Sequence, residues 1–223
     1  DDKFLKIGYS YATAFIAPTL YQSYGSLPYV LPNFDLKPET NASHELDFSF
    51  GKKDRTFVVN ASVFSRKEKD VFVYNWDNRK FLNVESNKGK GVEVGVQYHF
   101  NEKVNVGGNF SFAEKDNPAT RLRSPKQRAN AFLEILPIKN NRINISYQYT
   151  SKRNDAYYDS SRNSTKNVEL EAFHLFNLNI NQKITKSLDT YLNVGNVLNT
   201  SYTDVIGYTT KPRNITLGVE YKF

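Results

Sequence analysis

Apolar and polar residues alternate along this chain with a period of two. The last segment shows it best. Ile215, Leu217, Val219, Tyr221 and Phe223 fall on one face, and Asn214, Thr216, Gly218, Glu220 and Lys222 on the other. Such a run of about ten residues is the length of a tilted strand that crosses a bilayer. Upstream, Leu5, Ile7, Tyr9 and Tyr11 alternate with Lys6, Gly8 and Ser10. Val92, Val94, Val96, Tyr98 and Phe100 alternate with Glu93, Gly95, Gln97 and His99. Residues 104–112 and 142–149 repeat the pattern, and weaker strands are predicted near 42–51, 56–66, 128–137, 171–182 and 187–197. The pattern predicts about ten strands.

A β-sandwich also alternates, so the connections decide. Short ones fall at 51–55, 101–103, 139–141 and 185–187, and long ones near 13–41, 67–88, 113–127, 151–169 and 198–213. All short turns therefore lie at one end of the sheet and all long loops at the other. That is the habit of up-and-down outer-membrane barrels, with short periplasmic turns and long extracellular loops; Greek-key sandwiches lack it. The last strand then descends to the periplasmic side and residues 3–12 run outward. Aromatics gather at strand ends on both sides: Phe50, Phe57, Tyr98, Phe100, Tyr221 and Phe223 inside, and Tyr9, Tyr11, Phe112, Tyr147 and Tyr149 outside. Two such girdles suit the two membrane interfaces. The opposite faces carry Asn, Ser, Gly, Glu and Gln. They suit a wet or plugged lumen better than the filled interior of a narrow ten-stranded barrel. The fold expected is all-β, an antiparallel up-and-down transmembrane β-barrel of which 1–223 forms one arc.

Composition sharpens this. A mean hydropathy of −0.60 and the lack of any long apolar run exclude helical spans but not a barrel, whose strands present only alternate residues to lipid. The chain has neither Cys nor Met, so it can build no disulfide and no thiolate metal site. The start carries no signal peptide, which fits a mature or shortened product. The formal charge of +7 is scattered through turns and loops and forms no block, which argues against a nucleic-acid partner. It suits a solvated surface with some basic residues facing lipid headgroups or an anionic ligand.

The three histidines do not suggest a centre. His99 has lumenal parity near a short turn, while His44 and His174 have lipid-facing parity near the outer ends of their strands. An outer-membrane protease, some of which are ten-stranded barrels with an Asp–His pair at the outer rim, is the enzyme alternative. It needs a His within hydrogen-bond reach of a carboxylate, and none points into the outer cleft. The chain is read as a non-enzyme with no cofactor and no metal site. A porin or adhesin barrel is the other alternative.

Several segments carry a family resemblance. Phe15-Ile16-Ala17-Pro18-Thr19 resembles a FRAP-like box and Asn33-Phe34-Asp35-Leu36-Lys37-Pro38-Glu39-Thr40 an NPDLKPE-like box. Lys90-Gly91-Val92-Glu93 resembles a strand start. Asn193-Val194-Gly195-Asn196-Val197-Leu198-Asn199 with Tyr202, then Pro212-Arg213 and Phe223, resemble the closing motifs. In this order they resemble TonB-dependent outer-membrane receptors. The departures are Ile16 for Arg, Phe34 for Pro and Lys211 for Gly. The resemblance implies the last ten strands of a plugged barrel of roughly twenty-two, with the plug domain and earlier strands outside this sequence. It also implies active uptake of a scarce nutrient through the outer membrane, driven by TonB acting on the plug, with outer-membrane lipid around the wall and a surface lipoprotein as a further partner. Glu93, Asn109, Asn144 and Glu220 are candidates for plug contact. Haem receptors of the family carry a His between the two boxes, and 19–33 has none.

Within the family, 122–127, 157–161 and 207–210 resemble loops of the cobalamin receptors, in which the positions matching Arg123, Tyr158 and Tyr208 face the ligand. Tyr offers a flat apolar ring with a hydroxyl, and Arg can pair with phosphate or amide. The ligand expected is cobalamin or a related corrinoid. A ferric siderophore, which Arg and Tyr would serve equally, is the alternative.

Overall fold

The computed structural model describes residues 2–117 and 121–223. Ten strands form one antiparallel sheet: β1 (Lys3–Ile16), β2 (Glu39–Lys52), β3 (Phe57–Asn75), β4 (Lys80–Asn101), β5 (Val104–Lys115), β6 (Gln127–Ile135), β7 (Asn141–Thr150), β10 (Phe173–Lys183), β11 (Leu188–Gly195) and β12 (Asn214–Tyr221). Each pairs with its neighbours in chain order. The exception is a two-stranded hairpin of β8 (Arg153–Asp159) and β9 (Ser164–Leu170), inserted between β7 and β10. The sheet is open. β1 and β12 stand at opposite edges and do not pair with each other.

The register sorts the two faces. Phe57, Tyr98, Val106, Leu133, Ile145, Leu178, Val194 and Ile215 are successive cross-strand partners in one row. Three of the residues two positions away, Val96, Phe176 and Leu217, continue the apolar face. The other parity carries most of the polar residues, and several of them join in cross-strand bonds: Ser49 to Asn60 at 2.8 Å, Asn130 to Asn109 at 2.9 Å, and Asn179 to Asn193. The apolar face is where a soluble protein would build its core, yet it is open, with Val63 51% and Val96 44% exposed within the sheet. Among the described residues the buried apolar ones are Val30, Val71, Ala156, Leu170 and Phe173, all at the end bearing the long connections. Lipid is the missing packing partner for the rest. Inner-end rings form a continuous girdle, Phe50–Phe57–Tyr98–Phe100, with centroids 4.4–6.4 Å apart.

Lumenal aromatics lie across glycines on the adjacent strand, among them Phe64 over Gly91, Phe132 over Gly107 and Tyr191 over Gly218. A Cβ on Gly218 would stand 2.1 Å from the Tyr191 ring, so the glycine makes room for the ring to lie flat on the wall.

Two expected loops are corrected. Much of 67–88 is strand, because β3 and β4 continue beyond the membrane to a four-residue turn at 76–79. Val71 and Val73 continue the register, paired with Val84 and Leu82. Tyr74 stacks edge-on to Trp76 and packs tilted against Phe81, while the Asn75 side chain accepts from the Asp77 and Asn78 amides. Within 151–169, β8 and β9 fold back around a turn at 160–163. The 13–41 connection carries a short helix, α1 (Leu20–Tyr24), opened by a Thr19/Gln22 capping box.

Candidate functional site

The long connections gather at the outer end, where three of them meet on one buried carboxylate. Asp155 lies on β8 and is fully buried. Its Oδ1 accepts from Arg123 Nε at 2.7 Å and from the Ala156 amide at 2.8 Å, and its Oδ2 accepts from the Ile206 amide at 2.9 Å. Burial pushes the Asp155 carboxyl up. The Ile206 amide, the Arg123 guanidinium and the Ala156 amide outweigh it and hold the group below the usual carboxylate range. Arg123 has φ +57°, a left-handed conformation, and its own amide donates to the Asn154 carbonyl at 2.8 Å.

A second polar group fastens the same hairpin from below. Arg153, with its side chain 2% exposed, donates through Nη2 to the Thr203 and Asp204 carbonyls at 2.8 Å and to Asp204 Oδ1 at 2.9 Å. Its guanidinium lies over Phe173 at 5.2 Å, and Phe173 packs on Tyr202 at 4.5 Å. Asn196, buried and at φ +50°, exchanges hydrogen bonds with Thr200 at both its side-chain oxygen and nitrogen. Asn199 accepts from the Arg213 amide at 2.8 Å. Within the motif 193–199, Asn196 and Asn199 thus shape the 198–213 connection. The Asn33 box acts likewise. Asn33 donates to the Phe81 carbonyl at 2.8 Å, and Asn83 bonds Lys37 through both backbone groups, so the 13–41 connection is docked on the extended β3–β4 hairpin.

The loops bearing Arg123 and Tyr208 are therefore joined at Asp155, Tyr208 being two residues beyond Ile206. Tyr208 follows Gly207, at φ +83°, and is 74% exposed. Tyr158 is three residues along β8 from Asp155, roughly 10 Å at strand rise. It is 47% exposed, with its hydroxyl donating to Asn163. All three lie at the outer end, and Arg123 spends one of its donors on Asp155. Sequence reading missed Asp155 and Arg153, and took Asn196 only as part of a family-like motif. The signal for the first two was two opposite charges at alternate positions, hence on one face, in a segment taken for a loop.

Glu93 and Asn109 line a lumenal hollow of about 710 Å3 shared with Glu45 and Asp47. Glu220 lines another of about 710 Å3 at the inner end, and Asn144 approaches Asn179 at 3.5 Å. His99 meets Gln97 at 3.1 Å, while His44 and His174 each sit between two tyrosines, Tyr9/Tyr11 and Tyr147/Tyr149. His44 on β2 and His174 on β10 are six strands apart in the sheet.

Residues 4–197 match the family model described as TonB dependent receptor-like, beta-barrel. Over 219 residues, 96% of this chain, the sequence is 27% identical to the vitamin B12 transporter BtuB of Vibrio cholerae and spans 34% of it. Among solved structures the chain is similar to the pyoverdine outer membrane receptor FpvA of Pseudomonas aeruginosa. The TM-score is 0.77 and the identity 16%, over 100% of this chain and 34% of that one. It is also similar to the FrpB iron transporter of Neisseria meningitidis, with TM-score 0.74 and identity 21%, over 98% of this chain and 37% of that one. At these identities the structural likeness concerns the fold. The chain spans about a third of the length of the relatives it matches.

Proposed function

The chain belongs to the TonB-dependent receptor β-barrel family, and on that footing we propose that it serves an outer-membrane receptor for active uptake of a corrinoid. In that reading Arg123, Tyr158 and Tyr208 contact the ligand at the extracellular mouth. The observation that carries it is the fastening of the Arg123 and Tyr208 loops to the β8–β9 hairpin through Asp155. A rim that is already ordered loses less entropy on capturing a large, amphipathic ligand. Likeness to a vitamin B12 transporter along nearly the whole chain supports the substrate class. The lumenal Glu93, Asn109, Asn144 and Glu220 would face a plug domain carried elsewhere in the protein, through which TonB would deliver its energy.

The test uses the full-length gene product in detergent. Cyanocobalamin and ferric siderophores are titrated against it, then against Arg123→Ala, Tyr158→Ala and Tyr208→Ala. Desolvated Tyr and Arg anchors contribute about 2 kcal/mol or more, so each variant should bind cobalamin at least tenfold more weakly. An intact receptor that ignores cobalamin but takes up an iron chelate would overturn the substrate and leave the transport reading standing. Equal binding by all three variants would overturn the residues alone.

A further inference from the structure

Above the outer aromatic girdle the lipid-side face of β3 and β4 turns abruptly basic. Phe57, Val59, Ala61 and Val63 are followed on the same face by Ser65, Lys67 and Lys69. On β4, Val96, Val94 and Val92 are followed by Lys90 and Lys88. Lys67 and Lys88 are direct cross-strand partners, with Lys90 and Lys69 beside them, and all four side chains are exposed. None of the four forms an ion pair among the described residues. The carboxylate opposite Lys90, Glu114, is taken by Lys126 at 2.5 Å. Like charges placed directly opposite each other on a sheet oppose its pairing, so the arrangement calls for an anion from outside the chain.

Height says which one. Lys67 lies ten residues beyond Phe57 on the inner girdle, roughly 33 Å along the strand. At a tilt near 45° that is roughly 23 Å of rise, the height of the apolar belt of such barrels. The ammonium groups therefore emerge where the outer hydrocarbon ends and headgroups begin, their methylene stems lying on the wall below. A shallow groove of about 410 Å3 runs from Lys67 and Lys69 past Ala42 and Thr40 to Thr13 and Phe15 on the same face. It offers a mostly apolar track beside the charges.

We propose that Lys67, Lys69, Lys88 and Lys90 form a docking site for the phosphorylated headgroup of an outer-leaflet glycolipid, with its upper acyl chain along the groove beside Phe15. Clustered Lys next to a membrane-spanning segment is the pattern that recognises anionic lipid. The site rests on the outer-membrane placement of the receptor and is independent of its substrate.

The experiment is native mass spectrometry of the intact membrane protein titrated with lipid A bearing two phosphates, and with the same lipid A after both are removed. The variants are the quadruple Lys→Gln change at 67, 69, 88 and 90, the quadruple Lys→Arg change, and a charge-matched control at the inner-end lysines 52, 53, 103 and 186. The wild type should hold the phosphorylated lipid at least tenfold more tightly than the dephosphorylated one. The Gln variant should lose that preference, and the Arg variant and the inner-end control should keep it. Heat-modifiable migration on gels reports folding; if the quadruple Gln variant fails to fold, Lys67→Gln/Lys88→Gln carries the test. A Gln variant that retains the preference, or a wild type indifferent to the phosphates, overturns the site. Displacement of the lipid by inorganic phosphate alone assigns a free-anion site and also overturns it. Membrane fractionation separates the premise: protein found outside the membrane removes the placement itself, whereas inserted protein indifferent to phosphate removes only this site.

Discussion

Replacing Asp155 by Ala should loosen the extracellular rim without unfolding the wall. The side chain accepts three hydrogen bonds of 2.7, 2.8 and 2.9 Å and is fully buried. Hydrogen bonds to an ionised acceptor contribute about 1.5–3 kcal/mol each, but the three do not add. The Arg123 side chain is 52% exposed, so water resolvates it once the carboxylate is gone. The Ile206 and Ala156 amides have no such escape while the rim stays closed. About 3 kcal/mol is the expected cost to the closed rim, at the lower end of what breaking a buried pair costs. That is roughly a hundredfold in the opening equilibrium. Hydrogen exchange read by mass spectrometry on peptides covering 153–159 and 200–210 should show this loss of protection, with β2–β7 unchanged. Asp155→Asn keeps an acceptor but loses the charge and presents a donor to one of its former donors, so it should fall between. If 200–210 in Asp155→Ala exchanges within threefold of wild type, the Arg153 contacts to Thr203 and Asp204 hold the loop by themselves and the reasoning fails.

The same carboxyl sets a pH window. Its folded pKa is depressed, so its contribution is fully present above the unfolded value of about 3.9 and is lost as pH falls through the lower folded value. Intrinsic-rate-corrected protection of 200–210 should be flat from neutral pH to about 5 and drop only below about 4, and this drop should vanish in Asp155→Asn. In the wall, Gly218→Val would drive a side chain into the Tyr191 ring. It should destabilise by about 1–3 kcal/mol, whereas Gly95→Ala, whose nearest neighbour is the Gly108 carbonyl at 3.9 Å, should cost far less; urea midpoints in detergent compare them. Val94→Lys, midway up β4 on the lipid face, should cost about 2–4 kcal/mol in lipid. Val219→Lys, two residues from the inner-girdle Tyr221, should cost roughly 0–1 kcal/mol. Equal costs would refute the depth assignment.

The wall was legible because lipid makes the period-two rule strict. Each strand must show one apolar face, so Val92 to Phe100 or Ile215 to Tyr221 could not be read otherwise. Turn position was legible for the same reason, since strands of similar length must reverse at two fixed levels. Beyond the membrane that constraint ends. Val71-Phe72-Val73-Tyr74 is apolar on both faces, so it lacks the period-two signature of the spanning strands and was counted within a long connection. Only the Phe81 partner across the turn, far down the chain from any girdle, makes it a hairpin. β8 and β9 are shorter still, and they gain their order from Arg153 and Asp155 reaching residues about fifty positions away. No local pattern encodes such contacts. The family-like motifs pointed to the family, and what their asparagines do is structural: Asn33, Asn196 and Asn199 bond backbone groups of the outer connections. Arg123 and Tyr208 were singled out by residue type and loop likeness. What joins their loops, Asp155, left only a faint mark, its charge set against that of Arg153 two positions away, in a segment taken for a loop.

The two edges of the sheet bear on how this wall can exist in a membrane. β1 runs 14 residues with one side paired to β2 and the other unpaired, and β12 pairs only with β11. Along a free edge, alternate residues turn both their N–H and C=O groups outward. In hydrocarbon each unsatisfied group costs several kcal/mol, and this is why spanning sheets close. An edge as long as β1 would cost more than any domain's net stability. Lys and Pro, the usual means of blunting an edge in water, are absent between Ile7 and Ile16, where Tyr9, Tyr11 and Phe15 mark a surface built for lipid. Both edges must therefore be met by other strands in the membrane. Joining β12 directly to β1 would close a ten-stranded barrel, whose interior would be filled by its own side chains. The inward faces argue against that. They pair Asn with Asn across β5–β6 and β10–β11 and leave Glu45, Asp47 and Glu93 around an open hollow of about 710 Å3, a surface that water or a polar domain can meet but a narrow core cannot. The wall is shaped as an arc of something wider.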